Sequence, residues 1–221
     1  MLASLRELLR HANARCRNAS AGMTYAVTPM STKFQTGAPR PPIIALAGFM
    51  AVGKSTVGRA LASLLRWRFI DLDRHIERRS KLRIHEIFAV RGEPGFRRIE
   101  LETLHLALQR ASIPTVIALG GGTFVQPRNA ALLRRYGAHV IFLELPPDHL
   151  LQRCRVAAKR APQNPRPLAA DAEGFLALHA KRLPLYRKAE LTVNTHGKTP
   201  RQVAQEIAAA LDLISIAERN V

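Results

Sequence analysis

Cysteine is nearly missing from this chain: Cys16 and Cys154 are the only two in 221 residues, and neither falls in a CxxC pair. Two distant thiols argue against a disulfide framework and against a thiolate zinc site, and they fit a reducing cytoplasm. Acidic residues are also scarce, 16 against 34 Lys and Arg, for a formal charge of +18. Such a charge draws anions, but nucleic acid, a membrane surface and phosphorylated metabolites would all answer to it. No Lys/Arg block of five or six occurs, and aromatics make up only 5% with no basic helix interleaved with them. That leaves little of a nucleic-acid module. No apolar run approaches the ~20 residues that span a bilayer; stretches such as Ile43 to Ala47 and Val140 to Leu143 have the length of strands. The eight histidines make no H-E-x-x-H cluster.

What is present divides in two. Residues 1–40 carry six basic residues and one acid, leaving 28 against 15 for the remainder. A short basic amphipathic stretch, Leu2 to His11, runs into Ser, Thr, Ala, Gly and Pro and ends at Ala38-Pro39-Arg40-Pro41-Pro42. Composition predicts a disordered or weakly helical extension here, with Met23 or Met30 as alternative starts; an organellar transit peptide would read the same way. Residues 41–221 read as a single α/β domain, with apolar strands alternating with helical patterns. Strands are expected at Ile43–Ala47, Arg68–Leu72, Thr115–Leu119, His139–Leu143 and Leu191–Asn194. Helices are expected at Lys54–Arg66, Arg74–Arg79, Ile84–Arg91, Pro94–Arg110, Arg128–Tyr136, Pro147–Val156, Ala172–Lys188 and Pro200–Leu213. Alternation of this kind implies a parallel sheet with ligands at the carboxyl ends of its strands.

The strongest motif stands at the first such end. Gly48-Phe49-Met50-Ala51-Val52-Gly53-Lys54-Ser55 fits G-x-x-x-x-G-K-[ST] between an apolar strand and a helix. Glycines let successive amides converge on phosphate oxygens, and the helix N-terminus adds its partial positive charge. Lys54 can reach the β and γ phosphates, Ser55 can take a magnesium position, and Thr56 extends the hydroxyl lining. Ala51, Val52 and Gly53 complete the nucleotide cradle.

Four further groups stand at other strand ends or on helices. Asp71 and Asp73 close the second strand, and alternation is expected to turn both to one side. A carboxylate there can hold magnesium through water or accept a hydroxyl proton, although taken alone such a pair is more often a helix cap and a solvated loop charge. Gly120-Gly121-Gly122 follows the third strand and permits close backbone approach to an anion. Arg97 and Glu100, three apart on a helix, share a face, so Glu100 could orient a guanidinium able to grip a carboxylate; a surface ion pair is the plainer alternative. Arg153, Arg155, Lys159, Arg160 and Arg166 make an acid-free basic segment that suits either a closing lid or a solvated loop.

Taken in order, these runs resemble the shikimate kinase family of P-loop phosphotransferases. Gly48-Phe49-Met50 through Gly53-Lys54-Ser55-Thr56-Val57-Gly58 is similar to its opening motif. Phe69-Ile70-Asp71-Leu72-Asp73, Phe96-Arg97-Arg98-Ile99-Glu100 and Leu119-Gly120-Gly121-Gly122 look like the next three. Arg166-Pro167-Leu168 is similar to its lid motif and Arg182-Leu183-Pro184-Leu185-Tyr186 to its last. The likeness covers residues 43 to 212. It implies a three-layer P-loop kinase fold, with a five-stranded parallel sheet in the order 2-3-1-4-5 and a mobile lid, here about residues 154–171. It implies ATP-dependent, Mg²⁺-assisted phosphorylation of the 3-hydroxyl of shikimate, in the pathway to chorismate and aromatic amino acids. By the same likeness Arg97 and Arg182 would grip the shikimate carboxylate, with the Gly121 backbone and its neighbours Gly120 and Gly122. Asp73 would bind the ring hydroxyls and act as base, and Glu100 would lie on the acceptor side. Ser55, with Asp71 through water, would hold the metal. Arg166 would close onto the phosphates, and Lys198 would flank the adenine with Pro200. The expectation is a cytoplasmic monomer without nucleic-acid or membrane partner. Kinases of other carboxylated polyols such as gluconate, and catalytically silent nucleotide binders, are the rival readings. Two departures stand out: Ala51 where glycine is usual, and a longer lid without its glycines.

Overall fold

The computed structural model describes residues 42–160 and 171–213. The expected N-terminal extension and the segment holding Arg166-Pro167-Leu168 lie outside them.

Three runs become the middle of the sheet because they are apolar on both faces. They are β1 (Ile43–Ala47), β3 (Thr115–Ala118) and β4 (His139–Glu144), with β1 and β3 buried at every residue. The mixed runs β2 (Arg68–Asp71) and β5 (Leu191–Asn194) form the edges. The order is β2-β3-β1-β4-β5 with every pairing parallel, as the family resemblance implied. Ile44 stands level with Val116 on one side and His139 on the other. The carboxyl ends of β1, β2 and β3 therefore finish side by side, which sets the place for a ligand.

Seven helices are seen among the described residues: α1 (Lys54–Leu65), α2 (Leu72–Ser80), α3 (Ile84–Gln109), α4 (Pro127–Arg135), α5 (Pro147–Arg160), α6 (Ala172–Tyr186) and α7 (Pro200–Ala210). Their starts carry the expected chemistry. Asp171 caps α6 through the Gly174 amide, Thr199 and Gln202 form a capping box on α7, and Pro127 and Pro200 open their helices. Within α3, Gly92 leaves helical geometry (φ 63°, ψ −179°) just before Pro94. The two helices expected there are thus present as two stretches of α3 that meet at a sharp break. The core, from Leu46 and Ile117 to Phe175 and Tyr186, is buried between the sheet and these helices.

Candidate active site

The loop after β1 folds so that the chain arrives at α1 amide-first. Gly48 (φ 142°) passes so near β4 that a Cβ there would lie 2.6 Å from the Leu143 carbonyl oxygen. Gly53 (φ 104°) precedes α1, and its carbonyl accepts from the Thr56 and Val57 amides at 3.0 and 2.9 Å. Ala51 also takes a left-handed conformation (φ 63°), a geometry that glycine adopts far more cheaply. Val52 is buried, while Ser55 is half-buried and Thr56 exposed on the first turn. The Lys54 ammonium lies over the loop and donates to the Gly48 and Phe49 carbonyls, both at 2.9 Å. Arg153, on α5, donates to the Val52 carbonyl at 3.4 Å, so the basic segment touches the cradle at its near end.

The two aspartates part company. Asp71 ends β2 and caps α2, its carboxylate accepting from the Arg74 amide at 3.3 Å. Asp73 lies in the first turn of that helix rather than on the strand, so strand alternation does not set its direction. A Cβ on Gly120 would come within 2.7 Å of Asp73 Oδ1, which puts the carboxylate against the tip of β3. Burial pushes the Asp73 carboxyl up to about 6; Lys54 pulls it down, and Asp71, Glu100 and Glu77 push it up. Its strongest attraction is therefore to the cradle lysine.

Arg97 faces the same tip. A Cβ on Gly122 would stand 2.8 Å from Arg97 Nη2, while one on Gly121 would stand 3.5 Å from the Met50 amide nitrogen. Three consecutive glycines thus pass between the Arg97 guanidinium, the Asp73 carboxylate and the phosphate loop. Glu100 is only 1% exposed. It accepts from Arg97 Nη1 at 3.0 Å, from the Thr123 hydroxyl at 2.7 Å and from Asn129 Nδ2 at 3.4 Å. The surface-pair alternative does not hold for Arg97 and Glu100; this is a buried, braced charge pair. Phe96 lies 5.2 Å under the Arg97 guanidinium and stacks on the exposed Phe88 at 4.4 Å, giving it an apolar flank.

Arg182 reaches the cradle from α6. Its guanidinium lies 5.9 Å from the Phe49 ring, which also meets Phe175 and His179 edge-on at 5.0 and 5.2 Å. Tyr186, one turn further on, donates its hydroxyl to the Gly121 carbonyl. Burial pushes the Tyr186 phenol up to about 12, against the lowering influence of Arg182, which also hydrogen-bonds it, and of Arg97. Arg182 therefore borders the phenol, and the Arg97 charge is felt there too. Lys198, in the loop after β5, commits its ammonium to Glu206 at 2.6 Å.

The structure thus brings together Lys54, Asp73, Arg97, Glu100, Gly120, Gly121, Gly122 and Arg182, and leaves Lys198 in a separate ion pair. Thr123 and Asn129, which with Tyr186 hold these groups in place, carry no local motif of their own. Tyr186 stands in the Arg182-to-Tyr186 run already singled out, where it gained no role of its own; its i,i+4 spacing from Arg182 is the further signal.

Comparison with known proteins agrees. The family model for shikimate kinase matches residues 50–212. A shikimate kinase of Thermus thermophilus is 41% identical over 177 residues, covering 78% of this chain and 92% of the relative. Among solved structures, the shikimate kinase from Acinetobacter baumannii in complex with shikimate superposes with a TM-score of 0.68 at 36% identity, over 78% of this chain and 94% of that one. A gluconokinase from Sinorhizobium meliloti reaches a TM-score of 0.51 at 17% identity, over 79% of this chain and 94% of that one, which is a likeness of fold alone. With one family matched from the phosphate loop to the last helix, and a relative similar along most of both chains, the chain belongs to the shikimate kinase family.

Proposed function

We propose that this protein transfers the γ-phosphoryl group of ATP to the 3-hydroxyl of shikimate, giving shikimate 3-phosphate and ADP. One observation carries the reading. The Arg97 guanidinium, braced by buried Glu100, packs on Gly122 at the strand tip whose preceding residue, Gly121, meets the phosphate loop at Met50. A carboxylate gripped by Arg97 and Arg182 would hold its ring over Asp73, with a hydroxyl facing the cradle.

In this reading Ala51, Val52, Gly53, Ser55 and Thr56 surround the phosphates, and Lys54 leaves its loop carbonyls to follow the transferring group. Catalysis is then positioning plus fixed charge, with no covalent intermediate required. Asp73, with a carboxyl near 6, is ionised at neutral pH and accepts the proton that the attacking hydroxyl sheds. Glu100 acts through Arg97, because its own oxygens are taken by Arg97, Thr123 and Asn129. Arg166 would close onto the phosphates with the lid, and Lys198 would flank the adenine.

Magnesium fits the residues present. The Ser55 hydroxyl and the Asp71 carboxylate are hard oxygen donors, which suit this ion. Among the described residues no group of three His, Cys, Asp or Glu could cage a metal, and Mg²⁺ takes most of its ligands from phosphate and water. When bound it supplies charge neutralisation on the phosphates. Among the described residues no helix is long and apolar enough to cross a membrane. We infer further that the protein acts on small molecules in the cytoplasm as a monomer, without nucleic-acid or membrane partners; its basic charge, diffuse rather than clustered, fits small anionic substrates.

The test is a coupled assay of ADP release with shikimate, gluconate, nucleoside monophosphates and water as acceptors. Release driven by shikimate alone is the expected outcome. Gluconate-driven release would transfer the reading to another carboxylated polyol, and release with none of them would leave a silent nucleotide binder.

A further inference from the structure

Two carboxylates of opposite accessibility hold the Arg97 guanidinium. Glu100 is buried, with a side chain only 1% exposed, and takes Nη1 at 3.0 Å. Glu93 is 63% exposed and takes the other edge, its Oε1 accepting from Nε at 3.2 Å and from Nη2 at 3.1 Å. The Nε–Nη2 edge is one with which arginine grips a planar carboxylate through two parallel hydrogen bonds. One side chain therefore supports Arg97 from within the core, while the other covers a binding edge from solvent.

We propose that Glu93 is an internal stand-in for the acceptor's carboxylate: it occupies the Nε–Nη2 edge of Arg97 before the acceptor arrives, and the acceptor must displace it. The inference rests on the reading of Arg97 as the acceptor's carboxylate grip. Charge supports the exchange. Arg97 with Glu93 and Glu100 is a group of net charge −1, and Arg182 brings it only to neutrality, so a third carboxylate gains little net attraction unless one of the two departs. Glu100 cannot leave without stranding the buried donors Thr123 and Asn129. Glu93 is already largely hydrated, so its return to water costs little. The backbone allows it too. Gly92, at φ 63° and ψ −179°, breaks α3 immediately before Glu93, and Pro94 follows. Glu93 thus begins a helical segment, with no turn of its own segment before it, and can swing outward without breaking internal helical bonds. Glu93 then sets two properties of the site. It weakens the acceptor by the strength of the pair that must be broken, and it keeps Arg97 neutralised against neutral polyols and weakly held anions.

The experiment compares wild type with Glu93→Gln and Glu93→Ala, measuring shikimate affinity by isothermal titration and the shikimate and ATP KM values by ADP release. Both variants are expected to bind shikimate more tightly, by about two- to fivefold, the size of a partly exposed ion pair. The change should fall on the shikimate KM, with the ATP KM unmoved. Acetate should also inhibit both variants at lower concentration than it inhibits wild type. Shikimate affinity that is unchanged or weaker in the isosteric Gln variant, with wild type turning shikimate over, would make Glu93 a mere brace and overturn the proposal while leaving the function intact. A wild type that neither binds nor phosphorylates shikimate would overturn both.

Discussion

Gly122 and Arg97 are packed against each other so closely that a methyl group on Gly122 would stand 2.8 Å from Nη2 and 2.9 Å from Nη1 of the guanidinium. The third glycine of the run is therefore a space reserved for the arginine, and the contact lies at the strand end where we propose that the acceptor is read. Gly122→Ala is expected to displace Arg97 and raise the shikimate KM about tenfold or more, in line with the ~1.5–3 kcal/mol of a hydrogen bond to a charged group. The ATP KM should stay within about twofold, a shift too small to signal loss of a charged hydrogen bond. Steady-state kinetics with each substrate varied would check this. An equal loss on both sides would mean that the substitution disturbs the whole loop.

If Asp73 is the proposed base, folding and catalysis pull it in opposite directions. Its carboxyl is raised from 3.8 to about 6, first by burial, so the folded protein holds this proton more tightly than the unfolded chain does. The contribution to stability is then greatest below about pH 4 and declines as pH rises from 3.8 to about 6. Above that it stays at its lowest. Asp73→Asn should accordingly melt higher than wild type at pH 7.5, lose that advantage near pH 4, and turn over hardly at all. The kcat/KM of wild type should show an acid limb near pH 6. A melting difference independent of pH would refute the burial of this charge.

Much of the sheet was readable because its central strands are continuous apolar runs, and β5 at Leu191–Asn194 falls where expected. The break at Gly92 was readable from a Gly and a Pro two residues apart. Asp73 was placed on the strand because nothing local distinguishes Leu72 as a strand's last residue from Leu72 as a helix's first; the Asp71 cap decides it. The brace behind Arg97 was only half legible. Glu100 shares a helix face with it, but Thr123 and Asn129 lie 23 and 29 residues beyond Glu100. Tyr186 and Gly121 are 65 residues apart. Such contacts exist only once β3 and α6 are placed by the sheet, and no local pattern can announce them.

Tyr186 is expected to act as a positioning residue for that reason. It holds the Gly121 carbonyl, borders Arg182, and stacks on Phe142 at 5.2 Å. Tyr186→Phe keeps the ring and the stack but frees the peptide and the arginine. We expect the shikimate KM to rise severalfold with the ATP KM steady, for a melting loss of about 1 kcal/mol, the worth of one neutral hydrogen bond. If only the melting point moved, the hydroxyl would serve folding alone.

Ala51 tests the departure noted in the cradle. A left-handed alanine costs about 1–2 kcal/mol, while glycine gives back ~0.5–1 kcal/mol through the freer unfolded chain. Ala51→Gly should thus be neutral to stabilising by at most about 1.5 kcal/mol, raising Tm by no more than about 3–6 °C for a chain of this size. ATP affinity should hold or improve. A fall of several degrees on differential scanning calorimetry would show that Ala51 contributes packing that outweighs its backbone strain.

Two guanidiniums reading an acid beside the phosphate loop are the centre of the proposed mechanism, and the comparison of shikimate with its methyl ester in wild type and Arg97→Ala tests them most directly. Wild type should prefer the free acid in kcat/KM by about 10- to 100-fold, and Arg97→Ala should erase most of that preference while retaining ATP affinity. A variant that still prefers the acid as strongly as wild type would contradict the assignment of Arg97, and with it the site built around Gly122.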